Sequence, residues 1–162
     1  MALKIPMFNK GTSMGDTMKV VIYFSMSKKK RSRDIAMSIE GDHYELFPGE
    51  RIRKIPIISY LRLGFITMKD KDVPVEAPEI DFDKYDEVVL VFPVWAARMA
   101  QYMKSYLNQV PFKGKKVTLI ATSTSGRKGY MNGIGDSVDP SNDVIDIVMY
   151  KRDVLHHGVQ PA

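Results

Sequence analysis

The stretch that decides the fold is residues 85–107, YDEVVLVFPVWAARMAQYMKSYL. Its continuous apolar run at residues 88–92 is typical of a strand that is buried on both faces, and Pro93 is expected to end that strand. Apolar residues then recur at the spacing of one helix face, at Met99, Tyr102, Met103, Tyr106 and Leu107. The stretch therefore predicts a buried strand followed by a helix that packs on a core.

The same alternation extends in both directions along the chain. Strands are predicted at residues 20–24, 43–47, 117–121 and 144–149, with a short helix candidate at 34–40. Residues 50–69 place isoleucine, leucine and phenylalanine at helix-like intervals among arginines and lysines, which predicts a basic amphipathic helix broken at Pro56 and Gly64. Strands that alternate with helices indicate a parallel sheet, in which ligands bind beyond the carboxyl ends of the strands.

Composition narrows the class of protein. The 162 residues fit one domain, and the apolar runs are far shorter than the roughly 20 residues of a membrane-spanning helix. The absence of cysteine excludes disulfides, thiolate nucleophiles and iron-sulfur clusters. The histidines, His43 and the adjacent His156 and His157, lack the spacing of metal ligands, so no metal site is expected. We expect a cytoplasmic protein with a poorly structured extension at residues 1–17 and one domain at 18–162.

The first loop to inspect follows the predicted strand at residues 20–24. It combines three hydroxyls with five cations before a predicted helix, and its members are Ser25, Ser27, Lys28, Lys29, Lys30, Arg31, Ser32 and Arg33. Hydroxyl donors, cations and free backbone N–H groups together favour a bound phosphate. The net charge of +5 also favours anionic partners. The alternative is a basic loop that only faces solvent.

Two further loops follow the strands at 88–92 and 117–121. The first contains Pro93, Val94, Trp95, Ala96, Ala97 and Arg98. Its tryptophan could stack on a planar ring and Arg98 could contact an anionic one, although a lone tryptophan also fits a core position. The second begins Thr122, Ser123, Thr124, Ser125 and Gly126, whose small side chains allow a ligand to approach closely or form an ordinary surface turn.

These three loops, in this order, resemble those of the flavodoxin family, in particular its FMN-dependent NAD(P)H-quinone-reductase-like members. The matching stretches are KVVIYFS, the stretch at 85–107 and GKKVTLIATSTSG, and the resemblance spans about residues 19–150. It implies a five-stranded doubly wound parallel sheet of order 2-1-3-4-5 that binds FMN. The first loop would hold the FMN phosphate and the other two would flank the isoalloxazine ring. The implied contacts are Ser25, Ser27 and Ser32, then Pro93, Val94, Trp95 and Ala96, then Thr122, Ser123, Thr124 and Gly126.

The chain departs from the family pattern at several points. The first loop is two residues longer and contains no glycine where the family reads Ser-x-Ser-Gly-x-Thr, so lysines occupy the place of the glycine and are expected to attract the phosphate instead. Trp95-Ala96-Ala97 stands where relatives often carry Trp-Trp-Gly. The final helix is expected to be curtailed, and the apolar surface that it would cover predicts a homodimer.

The resemblance implies an electron-transfer protein or a flavin-dependent oxidoreductase, linked to NAD(P)H or to quinone. The flavin would supply the chemistry, so no catalytic acid or base is expected from the protein, and no dinucleotide fingerprint is present. The partner would be a redox protein or a small electron donor or acceptor. One alternative is a domain that has lost FMN and serves as a binding or regulatory module. Nucleic-acid binding through residues 28–33 and 51–54 is disfavoured, because no aromatic residues are interleaved with these cations.

Overall fold

The computed structural model describes residues 17–26, 30–49, 65–123, 133–151 and 154–157. Its strands are β1 (Lys19–Tyr23), β2 (Asp42–Glu45), β3 (Phe47–Pro48), β4 (Val75–Glu76), β5 (Glu87–Trp95), β6 (Arg98–Met99), β7 (Lys116–Ser123), β8 (Asp143–Lys151) and β9 (Val154–His157). The α-helices are α1 (Arg31–Met37) and α2 (Gln101–Gln109), and residues 65–69 are also helical. Single 3-10 turns lie at Phe82–Lys84 and Gly135–Ser137.

Five parallel strands form the centre of the main sheet, in the order β2-β1-β5-β7-β8. This arrangement confirms the predicted α/β class and the predicted strand order. β9 pairs antiparallel with β8 at one edge, and β6 folds back antiparallel on the end of β5. β3 and β4 form a separate two-stranded sheet.

The central strands bury apolar side chains on both faces, which is why their sequences are continuous rather than alternating. One face carries Val88, Leu90 and Phe92 of β5 and packs with buried side chains of α2, among them Tyr102, Met103 and Tyr106. The opposite face carries Val89 and Val91 and packs with Ile35 and Ala36 of α1. The predicted helix stripe is thus confirmed as a core contact, except that Met99 belongs to β6.

The ends of the strands differ from the sequence-based prediction. β5 does not stop at Pro93 but continues to Trp95, because β6 supplies a pairing partner and the Pro93 carbonyl accepts the backbone N–H of Ala100 at 3.1 Å. Thr122 and Ser123, which we expected in a loop, belong to β7, since Tyr150 and Lys151 of β8 extend the ladder there. The expectation of a curtailed final helix is wrong for residues 154–157, which form the strand β9 because β8 offers them an antiparallel pairing partner.

Several predicted segments lie outside the described residues. These are residues 1–16 of the predicted extension and residues 50–64 of the predicted amphipathic helix, of which only 65–69 is described, as helix. Within the described ranges, no helix is long and apolar enough to cross a membrane.

Candidate functional site

The described parts of the three predicted loops lie at one edge of the sheet. β1 and β7 both pair in parallel with β5, so the carboxyl ends of all three strands meet there. Phe24 extends the ladder by donating its backbone N–H to the Val91 carbonyl at 3.0 Å, and Pro93 is the register partner of Thr122. Ser25, Pro93 and Thr122 therefore lie at the carboxyl ends of three adjacent strands, where we place one candidate site.

Ser25, just beyond β1, carries one of four buried side-chain groups that lack a partner among the described residues. Its hydroxyl oxygen is buried and has no hydrogen-bond partner among the residues that the structure describes. A buried hydroxyl without a partner costs about 1–3 kcal/mol, so such groups are rare and call for an explanation. A bound anion with oxygen acceptors would supply the missing partner.

The described part of the first loop continues at Lys30, Arg31 and Ser32. Lys30 is exposed and adopts a left-handed backbone conformation with φ 44° and ψ 36°. For a residue with a Cβ atom this conformation costs roughly 1–2 kcal/mol. Ser32 is only 3% exposed. The predicted contacts Ser27, Lys28 and Lys29 lie outside the described residues.

A buried pair of hydroxyls connects the first loop to the end of β7. The Ser32 Oγ lies 2.9 Å from the Thr122 Oγ1, and either oxygen can be the donor. The Thr122 hydroxyl also lies 3.4 Å from the carbonyl oxygen of Phe92, the residue before Pro93. Thr122 thus contacts elements from all three loop regions. Ser123 is buried beside it, whereas Thr124, Ser125 and Gly126 lie outside the described residues.

Trp95 is half-buried and is held by two aromatic rings, neither of which is among the predicted site residues. Its ring meets Phe24 edge to face at 5.6 Å between centroids and Tyr102 at 6.2 Å, and those two rings stack on each other at 5.0 Å. Phe24 directly precedes Ser25, so the packing joins the first loop to the second. The sequence contains a pattern that could predict this packing, because Phe24 ends a predicted strand and Tyr102 lies on the predicted helix stripe.

The chain turns sharply after Trp95. Ala96 and Ala97 form a two-residue hairpin turn between β5 and β6, and both have positive φ angles, 47° and 62°. A turn with two positive φ angles fits the twist of a hairpin but normally carries asparagine or glycine. Both alanines and Arg98 are exposed, so the turn and its cation are open to a ligand or a partner.

A charged cluster lies close to this turn. The Lys104 ammonium contacts both carboxylate oxygens of Asp70 at 2.5 and 2.7 Å. The hydrogen bond from Lys104 lowers the pKa of Asp70, and the positive charge of Arg98 contributes in the same direction. The cluster joins the end of the helical segment at 65–69 to α2.

The histidine on β2 contacts the backbone at the end of α1. The His43 Nε2 lies 2.9 Å from the backbone carbonyl oxygens of both Ala36 and Ile39, at the end of α1.

A cavity of about 390 Å³ is lined by His43, Tyr44, Glu45, Phe47, Glu76, Ala77 and Pro78. None of the residues predicted to form the flavin site lines this cavity. Within the described part of the chain, no three histidine, aspartate or glutamate side chains converge as metal ligands would.

Solved structures of flavoproteins have a similar fold. A crystal structure of a flavoprotein from Lactobacillus acidophilus NCFM in complex with FMN superposes with a TM-score of 0.68 and 19% identity, over 82% of this chain and 93% of that one. The chain has a flavodoxin-like fold. The apo-form of the same flavoprotein superposes at a TM-score of 0.63 with 18% identity, over 88% of this chain and 96% of that one.

A second organism provides a similar structure with the flavodoxin-like fold. A protein from Bacteroides eggerthii DSM 20697, assigned as a flavoprotein, superposes with a TM-score of 0.68 and 18% identity, over 83% of this chain and 89% of that one. No family model matches the sequence, and no curated protein matches it at a significant level.

Proposed function

We propose that the protein binds FMN at the carboxyl edge of its sheet and transfers electrons through it. The observation that carries this proposal is the buried hydroxyl of Ser25, which has no partner among the described residues and stands at the ligand edge of a flavodoxin-like fold. A phosphate oxygen is an acceptor that this donor fits. The FMN bound by the similar protein from Lactobacillus acidophilus supports the choice of ligand.

The residues present also fit the ring of the flavin. Trp95 is rigidly packed by Phe24 and Tyr102 while part of its surface remains accessible, as stacking on a planar ring requires. Arg98 adds a cation at the same hairpin turn. Pro93 and Val94 lie beside it at the end of β5, half-buried and without charge. These side chains would cover the ring and exclude water from one face.

FMN and the protein would contribute different functions. FMN, when bound, supplies one- or two-electron transfer at its isoalloxazine ring. The chain would anchor the phosphate through Ser25, Ser32 and their loop, with the cations at 28–31 attracting it. The chain would orient the ring through the hairpin that contains Trp95. The redox partner would be a protein or a small donor or acceptor that reaches the exposed turn.

Colour and a comparison of two flavins test this proposal. Protein purified in the presence of FMN should be yellow and should keep a flavin absorption band after desalting. In a fluorescence titration it should bind FMN more tightly than riboflavin, because riboflavin lacks the phosphate that Ser25 is proposed to contact. Equal affinity for the two would contradict the phosphate site, and failure to bind either flavin would contradict the function.

A domain that has lost FMN is the second candidate, and one observation favours it. Lys30 holds a left-handed backbone conformation without the glycine that would relieve it. Such a protein would stay colourless and would serve as a binding or regulatory module. The same absorption spectrum separates the two candidates.

We further propose that the protein is a homodimer in the cytoplasm. Support for the dimer comes from Phe65 and Met68, two large apolar side chains that are 57% and 65% exposed. Light scattering at micromolar concentration tests it, and a monomeric mass would contradict it. Cell fractionation tests the location.

A further inference from the structure

The hydroxyl of Thr122 contacts residues from two other elements of the candidate site. It lies between Ser32, at 2.9 Å, and the carbonyl oxygen of Phe92, at 3.4 Å. Ser32 stands 90 positions earlier in the chain, and both hydroxyls are more than nine-tenths buried. With so little exposure, each hydroxyl relies mainly on partners within the protein, and these two hydroxyls are partners of one another.

The protons of this pair can be arranged in only two ways, because each hydroxyl carries one proton and can accept on its oxygen. In the first, Ser32 donates to Thr122, and Thr122 donates to the Phe92 carbonyl through the longer contact. In the second, Thr122 donates to Ser32, which frees the Ser32 proton for another acceptor. Phosphate oxygens only accept at neutral pH, so Ser32 can hold a phosphate by donation only in the second arrangement.

Resting on the proposed function, we propose that Thr122 is a positioning residue that turns Ser32 into a phosphate donor. With a phosphate bound, the Thr122 O–H turns from the Phe92 carbonyl oxygen and donates to the Ser32 oxygen, and the Ser32 O–H donates to a phosphate oxygen. The long contact at 3.4 Å is the weaker of the two and is the one given up. Phosphate binding at Ser32 thereby releases the contact between Thr122 and β5, the strand that ends in Trp95.

The chain offers a matched control on the same strand. Thr118 is also buried, at 6% exposure, and its hydroxyl donates to the Glu87 Oε1 at 2.9 Å near the opposite end of β7. Thr118→Val and Thr122→Val each remove one buried, hydrogen-bonded hydroxyl at constant shape. Only the second breaks the connection to Ser32.

The test measures the affinities for FMN and riboflavin and compares their ratio between variants. Thr122→Val should lower the ratio by about three- to tenfold, the scale of one neutral hydrogen bond. Thr122→Ser should restore the parental ratio, and Thr118→Val should leave it unchanged. Ser32→Ala should lower the ratio at least as far, and the double variant Ser32→Ala with Thr122→Val should lower it no further than Ser32→Ala alone.

The outcomes separate this inference from the function on which it rests. If the parent binds FMN more tightly than riboflavin and Thr122→Val leaves the ratio unchanged, the positioning role is overturned and the flavin site stands. An equal loss of both flavins in Thr122→Val would also overturn it, because it would place the residue at the ring. A parent that binds no flavin overturns both. If Thr122→Val does not fold, Thr122→Ala provides the same comparison against Thr122→Ser.

Discussion

Replacing Ser25 with alanine should change stability and affinity in opposite directions. The Ser25 hydroxyl is buried without a partner among the described residues, and such a group costs about 1–3 kcal/mol. Alanine removes that cost, so the free energy of unfolding of the flavin-free Ser25→Ala variant should be about 1 kcal/mol higher than that of the flavin-free parent. For a domain of this size that corresponds to a rise in Tm of roughly 2–4 °C.

The same substitution should weaken FMN binding. A hydrogen bond to a charged group contributes about 1.5–3 kcal/mol, so the affinity should fall roughly 10- to 100-fold. Riboflavin, which carries no phosphate, should bind the variant and the parent alike. The measurements are urea unfolding of the flavin-free protein and fluorescence titration with each flavin.

Ser105 provides the control. It is fully buried like the Ser25 hydroxyl, but its Oγ accepts the backbone N–H of Val73 at 3.0 Å. Ser105→Ala leaves that N–H without a partner and should destabilise the flavin-free protein by about 1–3 kcal/mol, with no change in FMN affinity of the folded protein. If Ser25→Ala instead behaves like Ser105→Ala, its hydroxyl is bonded within the protein and the phosphate assignment is refuted.

Four further substitutions test individual features of the fold. Ala97→Gly should raise the unfolding free energy by roughly 0.5–1 kcal/mol in urea, because glycine relieves the positive φ angle but is more flexible when unfolded. Tyr106→Phe should stabilise the folded protein by about 1 kcal/mol, because the Tyr106 hydroxyl has no partner among the described residues and its burial raises the pKa of Tyr106. Tyr85→Phe should destabilise the folded protein, because it breaks a 2.6 Å hydrogen bond from the Tyr85 hydroxyl to the Asp42 carboxylate. Asp70→Asn should cost at most about 1 kcal/mol at neutral pH, since the pair with Lys104 is partly exposed. Because Lys104 lowers the pKa of Asp70, the difference between parent and variant should shrink as the pH falls below the ordinary aspartate range and vanish once the native carboxyl is protonated.

The sequence predicted the sheet because the physics of a buried parallel strand is local. A strand that is covered on both faces needs an unbroken apolar run, and residues 20–24, 88–92 and 117–121 have one. The order of the strands came from the resemblance of whole stretches to a known family. No local pattern in this chain determines which strand lies beside which.

The ends of the elements could not be predicted in the same way, because pairing partners decide them. Pro93 would ordinarily end a strand, yet β6 pairs with the residues beyond it and carries β5 to Trp95. Thr122 and Ser123 are polar and small, yet they continue β7 because β8 runs alongside. The partner in each case lies elsewhere in the chain.

The candidate site was predicted as loops rather than as contacts. Ser25, Trp95 and Thr122 were chosen from the sequence, and the structure brings their strand ends to one edge. The bond between Ser32 and Thr122 joins residues 90 positions apart, so no spacing rule could find it. The packing of Trp95 on Phe24 and Tyr102 depends in the same way on the folded sheet.

The departures from the family pattern acquire a physical meaning from the backbone. Lys30, Ala96 and Ala97 stand in or beside the places where the family carries glycine, and all three adopt positive φ angles. In these two loops the backbone is left-handed at residues that are not glycine. Each such residue costs roughly 1–2 kcal/mol, a cost that persists only where the surrounding structure fixes the conformation. Strain of this kind gathers at ligand sites, and here both strained turns flank the edge where Ser25 and the Ser32–Thr122 pair lie. Glycine at these positions would lower the cost of forming the turns without changing their backbone path.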